Sequence, residues 1–457
     1  MSKAKKLLLA VCAVVAGTAG AADRPIAEDA GVAPWFKDAK FGIFIHWGIY
    51  AVNGMGGESW PFFRGKIAYE DYMKQTNAFT AAKYDPKAWA DLFKEAGARY
   101  AVLTTKHHDG VALWDTKQRS GGKYLSMPKQ TPAGRDLIGP FVDALRADGL
   151  KVGLYFSHLD WSHPDYRAFP SASPEKFNRF RDSSDGKKHP ERWERFLAFH
   201  RGQLKELCEG YKPDLLWFDG DWERNGAQWR FAELRKELKA WDPGVILNSR
   251  MGGYGDYPTP EQGIPVVSPG DAWELCMTID STWSYRPNRS PKKTSQLIRV
   301  LSECVSMGGN LLLNVGPDAE GVVPPEQVAA LKEIGAWLKK YGEAVYGTVP
   351  GPARIHYGAP STLSKDRKTL YLFVFDKPVN QLVFKGLKSK IKKVSLLNDG
   401  RALKAEAVGG AAWSGVPPVY FLTVPDDVDV GYGFVVKMEL EEPIELYVGK
   451  SGAIESN

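Results

Sequence analysis

Residues 214 to 223 read DLLWFDGDWE: an apolar run from Leu215 to Phe218 ends on Asp219, with Asp221 and Glu223 close behind. A short apolar run bounded by polar residues predicts a buried strand, and it places Asp219 at the carboxyl end of that strand. A carboxylate fixed there can attack an electrophilic carbon or move a proton. With a second carboxylate it could hydrolyse a glycosidic bond, one group attacking or activating water while the other protonates the leaving oxygen. Asp221 and Glu223 are expected further out in the loop, solvated or supporting the site, and Asp214 at the strand's opposite end.

Other chemistries fit the residues less well. The adjacent His107 and His108 of KHHDG invite a metal, but consecutive side chains on an extended strand point to opposite faces. No Cys-x-x-Cys or His-Glu-x-x-His pattern occurs, so no metal site and no cofactor is expected. Just past a strand end the two imidazoles could instead hydrogen-bond neighbouring sugar hydroxyls. A serine hydrolase would place its nucleophile within Gly-x-Ser-x-Gly, and that motif is absent.

Elements that would hold such residues alternate along the chain. Apolar runs at 41–48, 100–105, 151–157, 214–220, 244–250, 272–279 and 310–317 predict strands, with amphipathic helices between them. DPKAWADLFKEAG has an Asp cap, Pro at the first helical position and Gly97 at its end. DLIGPFVDALRADG and TSQLIRVLSECVSMGG repeat apolar residues at helical spacing. Parallel strands alternating with helices predict an α/β fold, a (β/α)8-type irregular TIM-like barrel with one irregular or missing element. A doubly wound sheet competes, but no Gly-rich phosphate loop follows the first strand. His46, His107, His108, Ser157, Asp219, Arg250 and Asn314 all fall at or just past strand ends, which converge on one face of a barrel. After residue 350 the helical period gives way to short runs separated by Asn, Asp, Gly and Pro, a C-terminal antiparallel β-sandwich. The expected division is a signal peptide over 1–21, the barrel over 22–348 and the sandwich over 349–457.

Across 457 residues the chain is 44% hydrophobic and 25% charged, an ordinary globular composition. Its first residues carry Lys3, Lys5 and Lys6, an apolar run from Leu7 to Val15, and Ala19-Gly20-Ala21. That pattern is a secretory signal cleaved after Ala21, which predicts a periplasmic or secreted protein with no membrane anchor after cleavage. Removing the three lysines lowers the formal charge from +6 to +3, too near neutral to suggest nucleic acid as a partner. Cys208, Cys276 and Cys304 lie in strand-like or helix-like segments and are expected as buried thiols. The sequence leaves an oligomer open.

WFKDAKFGIFIHWGIY, ESWPFF, LTTKHHDGVALWD, GLYFSHLDW, LLWFDGDW, LNSR, WELCMTIDSTWSY and GGNLLLNVGPDAEG, in this order, together resemble a glycoside hydrolase family 29 α-L-fucosidase. The resemblance runs from about residue 34 to 345, and the trailing sandwich agrees with the family layout. It implies a metal-free, retaining enzyme with Asp219 as nucleophile and Trp217 beside it. His46, His107, His108, Glu58 and Trp60 would hold the fucose hydroxyls, with Tyr155 and Arg250 in the same pocket. The family usually has Glu next to Trp where this chain reads Glu58-Ser59-Trp60. Trp283 or Tyr285 would flank the sugar's methyl group. The acid/base has no fixed position in the family, which leaves Glu261 in YPTPEQGIP and Glu274 in DAWELC. Glu261, on a Pro-bounded loop resembling the bacterial position, is preferred, and Glu274 is expected as support.

The resemblance therefore implies an exported retaining α-L-fucosidase acting on fucosylated oligosaccharides or glycoconjugates. A catalytically weak fucose-binding protein and a metal-dependent hydrolase on the same barrel remain the alternatives. The first should have lost Asp219, and the second would be inhibited by a chelator.

Overall fold

The computed structural model describes residues 31–167, 188–379, 381–411, 413 and 415–449. The expected signal peptide lies outside the described residues.

Seven strands form one parallel sheet: β1 (Phe41–Ile45), β2 (Tyr100–Lys106), β3 (Lys151–Ser157), β4 (Leu215–Asp219), β5 (Ile246–Leu247), β6 (Glu274–Thr278) and β7 (Asn310–Val315). Their order is β5-β4-β3-β2-β1-β7-β6, with every pair parallel. All but the first residue of β3 are buried, as continuous apolar runs in a sheet covered on both faces should be. The helix Pro86–Glu95 follows its sequence signals. Asp85 caps the amide of Ala88 at 3.0 Å, and the chain turns at Gly97, whose φ is +86°.

The sheet curls, and the segment 256–262 closes the interval between β5 and β6. Asp256 N–H donates to Leu247 C=O (2.6 Å) on one side. On the other, Glu274 N–H donates to Pro258 C=O (3.1 Å), Cys276 N–H to Pro260 C=O (3.1 Å) and Gln262 N–H to Cys276 C=O (2.9 Å). Bridges at Asn248–Tyr257 and Glu261–Cys276 are parallel, so the segment runs with the barrel as its irregular eighth stave. The strand expected over 244–250 is correspondingly short. Only Ile246–Leu247 pair with β4, and the chain then turns to form this stave. Asp256 fixes its start, accepting from Arg235 Nη2 (2.7 Å) and Leu247 N–H (2.8 Å).

The barrel interior is packed rather than hollow. Phe36, Phe44, Tyr100, Tyr155, Leu215, Trp217, Tyr257, Cys276 and Leu312 fill it. Gly42 on β1 makes this packing fit, because a Cβ there would meet the Tyr100 ring at 2.4 Å. Asp214 faces the lower end, as expected, paired with Lys151 Nζ (2.7 Å).

Beyond the barrel, five strands (β12-β15-β10-β9-β8) and three strands (β11-β14-β13) form the two antiparallel sheets of the sandwich. They comprise β8 (Val349–Pro350), β9 (Ser361–Leu363), β10 (Thr369–Val374), β11 (Leu382–Phe384), β12 (Ile391–Leu396), β13 (Lys404–Val408), β14 (Val419–Thr423) and β15 (Phe434–Leu440). The Lys-rich KGLKSKIKK (385–393) leads into edge strand β12, with Lys392 and Lys393 exposed on it. Trp337 on the last barrel helix donates Nε1–H to Gly433 C=O (2.9 Å), which ties the two parts together. Cys208, Cys276 and Cys304 are buried free thiols.

Candidate active site

At the carboxyl ends of the strands lies a cavity of about 150 Å3, lined by Phe44, His46, Glu58, Trp60, His107, Tyr155, Trp217, Asp219, Trp222, Arg250, Glu261 and Trp283. A larger cavity of about 1120 Å3 opens at the other end, against the sandwich, among Lys40, Gly308 and Arg354. It holds none of the strand-end residues, so size does not select the site. The polar convergence does.

Asp219 ends β4, and the chain leaves it through Gly220 at φ +85°, where a Cβ would lie 2.4 Å from Leu159 Cγ. One carboxylate oxygen accepts from Arg250 Nη1 (2.7 Å), the other from Tyr155 O–H (2.9 Å). The second amino group of Arg250 reaches Glu261 Oε2 at 2.6 Å. A single guanidinium therefore bridges the two carboxylates, one group at each end. Arg250 itself lies on the Trp217 ring, 4.6 Å from its centroid. Glu261 keeps 40% of its side chain exposed.

Glu274 occupies a different place. It lies inside the barrel, fully buried, and accepts from Tyr100 O–H, Trp217 Nε1–H (2.8 Å) and Tyr257 O–H (3.5 Å). Burial pushes its carboxyl up to about 7 against the pull of these donors. A pKa of that kind would suit a general acid, but no face of Glu274 lines the cavity. Geometry makes it the anchor of Trp217.

The histidines are set by their partners. Asn314 Nδ2 donates to Trp283 C=O (2.6 Å), so its Oδ1 accepts from His46 Nδ1–H (2.6 Å) and leaves Nε2 with a lone pair. Ser157 O–H donates to Leu159 C=O (3.0 Å) and accepts from His108 Nδ1–H (2.6 Å), which leaves His108 Nε2 as an acceptor too. That nitrogen stands 3.7 Å from Asp219 Oδ2. Two acceptors so placed suit a substrate hydroxyl that donates between them. Burial lowers His46 to about 4 and holds His107 and His108 well below the usual imidazole range, so all three are neutral at pH 7. His107 pairs with Ser59 Oγ (2.7 Å).

His107 and His108 lie just past β2, where a register shift and a turn closed by Gly110 N–H to His107 C=O (3.0 Å) bring both rings to one side, 4.1 Å apart. Among the described residues, His107, His108 and Asp219 are the one group whose ligand atoms all lie within 4.8 Å of one another. Arg250 already supplies a cation to that carboxylate. Glu58 takes a left-handed backbone conformation (φ +51°) and accepts from Ser284 N–H (2.7 Å). Burial raises it to about 7. Backbone strain on a buried carboxyl residue beside the cavity is the kind that marks a functional position.

Ten of the expected residues line the cavity: His46, Glu58, Trp60, His107, Tyr155, Trp217, Asp219, Arg250, Glu261 and Trp283. His108 is not among the lining residues; its Nε2 stands 3.7 Å from Oδ2 of Asp219, which is. Tyr285 does not line it. Its ring would lie 3.4 Å from a Cβ on Gly54 and faces Arg289 at 5.7 Å, so Trp283 alone of that pair stands at the sugar-sized space. Glu223 is not solvated, being 1% exposed. Sequence reasoning missed Phe44 and Trp222. The alternation of β1 could have shown Phe44, two residues before His46 and on the same side of the chain.

Hydrolysis of a glycosidic bond calls for two carboxylates within reach of one sugar ring, and this cavity offers them at the mouth of a parallel barrel. The chain is a glycoside hydrolase. Comparison supplies the family: the alpha-L-fucosidase family model matches residues 19–343, and the chain belongs to that family. Bos taurus tissue alpha-L-fucosidase is 35% identical over 356 residues, covering 72% of each chain. The structure of alpha-L-fucosidase isoenzyme 1 from Paenibacillus thiaminolyticus superposes with a TM-score of 0.80 at 35% identity, over 89% of this chain and 98% of that one. A family 29 alpha-L-fucosidase from Bacteroides thetaiotaomicron, captured as a trapped covalent intermediate with 2-fluoro-fucosyl fluoride, superposes with a TM-score of 0.76 at 29% identity, over 90% and 97%.

Proposed function

We propose that this protein is an exported, retaining α-L-fucosidase that releases terminal α-L-fucosyl residues from glycans by double displacement. Asp219 attacks the anomeric carbon and forms a fucosyl-enzyme, while Glu261 protonates the departing glycosidic oxygen. Glu261 then takes a proton from the water that attacks the intermediate. Arg250 and Tyr155 aim Asp219, and His46, His107, His108, Glu58 and Trp60 receive the sugar hydroxyls. Neutral imidazole nitrogens accept hydrogen bonds from hydroxyls without adding charge. Phe44 and Trp283 form an apolar wall suited to the C5 methyl group. No metal and no cofactor enters this scheme.

The observation that carries the reading is the guanidinium of Arg250 touching Asp219 and Glu261 at 2.7 and 2.6 Å. One such group holds both carboxylates at the same cavity, within reach of a single sugar ring, as double displacement requires. The trapped covalent intermediate of the Bacteroides thetaiotaomicron relative supports the same course. At about 150 Å3 the cavity is well under the roughly 300–1,000 Å3 of drug-sized sites, the scale of one sugar ring at a chain end. The export reading rests on the first 21 residues, ahead of a 22–348 barrel and a 349–457 sandwich. No described helix is long and apolar enough to cross a membrane.

The test is hydrolysis of an aryl α-L-fucoside beside the matching β-D-galactoside, α-D-mannoside and α-L-rhamnoside. Preference for the fucoside by at least about a hundredfold is expected. Binding of fucose without turnover of any of the four would leave the catalytically weak binder instead. For export, the mature protein should begin at Ala22 when its N-terminus is sequenced.

A further inference from the structure

The two acids after Asp219 are not chemistry. They are bolts. Asp221, Trp222 and Glu223 form a single 3-10 turn directly after β4. Asp221 Oδ2 accepts from Gly252 N–H at 3.0 Å. Glu223, buried, accepts from Trp161 Nε1–H (3.2 Å) and from Tyr166 O–H. The turn's entrance is fixed as well, since Gly220 packs against Leu159 too closely to admit a side chain.

Between these anchored acids stands Trp222, its side chain left 41% exposed at the rim of the cavity. Its ring meets His108 edge-on (5.8 Å, 89°) and lies nearly parallel to Trp60 (6.2 Å, 16°). A large apolar ring left part-exposed beside an active cavity, between two anchored acids, offers a ready-made contact surface. The cavity itself has room for about one ring, and Glu261, the proposed acid, is also at the solvent-facing rim. Whatever the fucose is attached to must cross that rim.

We infer that Trp222 is the platform for the sugar that carries the fucose. That sugar is a pyranose whose C–H face rests on the indole while its bridging oxygen meets Glu261. This inference rests on the proposed fucosidase reading. An indole face offers no hydrogen bond to a peptide hydroxyl, but it matches the flat apolar face of a pyranose.

The experiment compares wild type, Trp222→Ala and Trp222→Phe on α-L-fucosyl fluoride, which has no leaving sugar, and on an α-L-fucosyl-galactose disaccharide. Turnover of the fluoride by wild type reports on the fucosidase reading itself, and its absence in a folded protein would sink that reading alone. For the platform, Trp222→Ala should lose kcat/KM on the disaccharide by about ten- to a hundredfold more than on the fluoride, and Trp222→Phe should recover most of the difference. Equal losses on both substrates would make Trp222 a packing residue and overturn the inference. So would no loss on either.

Discussion

Replacing Glu274 by Gln separates the two glutamates by both stability and kinetics. In the folded protein its carboxyl titrates at about 7, against 4.5 when exposed, because burial penalises the charged form. A group raised in this way contributes stability that is complete below pH 4.5 and is lost as pH rises through 7. At about 1.4 kcal/mol per pH unit, that gap is worth on the order of 3 kcal/mol. Gln does not titrate, so it escapes the loss. It does disturb the donors from Tyr100, Trp217 and Tyr257, at roughly 1–2 kcal/mol at every pH. Urea unfolding should therefore find the variant less stable than wild type at pH 4.5 and equal or more stable at pH 8. In kinetics, an anchor of Trp217 should lower kcat/KM by similar factors for aryl fucosides of good and poor leaving groups. Glu261→Ala should instead lose about 10²–10⁴ on poor leaving groups and little on acidic phenols. A steep leaving-group dependence in the Glu274 variant and a flat one in the Glu261 variant would refute the assignment of both residues. A stability difference that does not change with pH would refute the buried charge.

Three further outcomes are expected. Asp256→Ala removes the fully buried partner of Arg235 and loosens the stave that carries Glu261, which should cost about 3–5 kcal/mol in urea unfolding. Asn314→Leu leaves His46 Nδ1–H without its acceptor, and kcat/KM should fall by about ten- to a hundredfold, as expected for an unpaired buried donor. Dialysis against EDTA should leave activity unchanged, because Arg250 already neutralises Asp219 beside His107 and His108; restoration of a lost activity by one divalent ion would reassign those histidines.

Much of the barrel was legible because its strands are continuous apolar runs between polar ends, and six of the seven match their predicted positions to within a few residues. The eighth stave was not. Residues 256–262 include Pro258 and Pro260, have no apolar run, and pair only through scattered bridges, so nothing local announces a strand. The sandwich shows the same limit. The apolar-rich PIELYVG (443–449) contributes only a single bridge at Leu446, while the exposed Lys404–Val408, with no apolar run, is a strand through pairing with its neighbour. In the site, Asp219 and the histidines could be read from their place at strand ends. The distinction between Glu261 and Glu274 could not, because it depends on which carboxyl is enclosed by Tyr100, Trp217 and Tyr257 across the barrel. The choice between Trp283 and Tyr285 stayed open for a related reason: both lie beyond β6, where strand alternation no longer fixes which way a side chain faces.

The proposed double displacement requires Asp219 to be the group that bonds to the sugar. Incubation with 2-deoxy-2-fluoro-α-L-fucosyl fluoride, followed by proteolysis and mass spectrometry, tests this directly. The peptide containing Asp219 should gain one fluorofucosyl group as activity is lost, and both should reverse when the intermediate turns over. A label on Glu261, or inactivation with Asp219 unmodified, would contradict it.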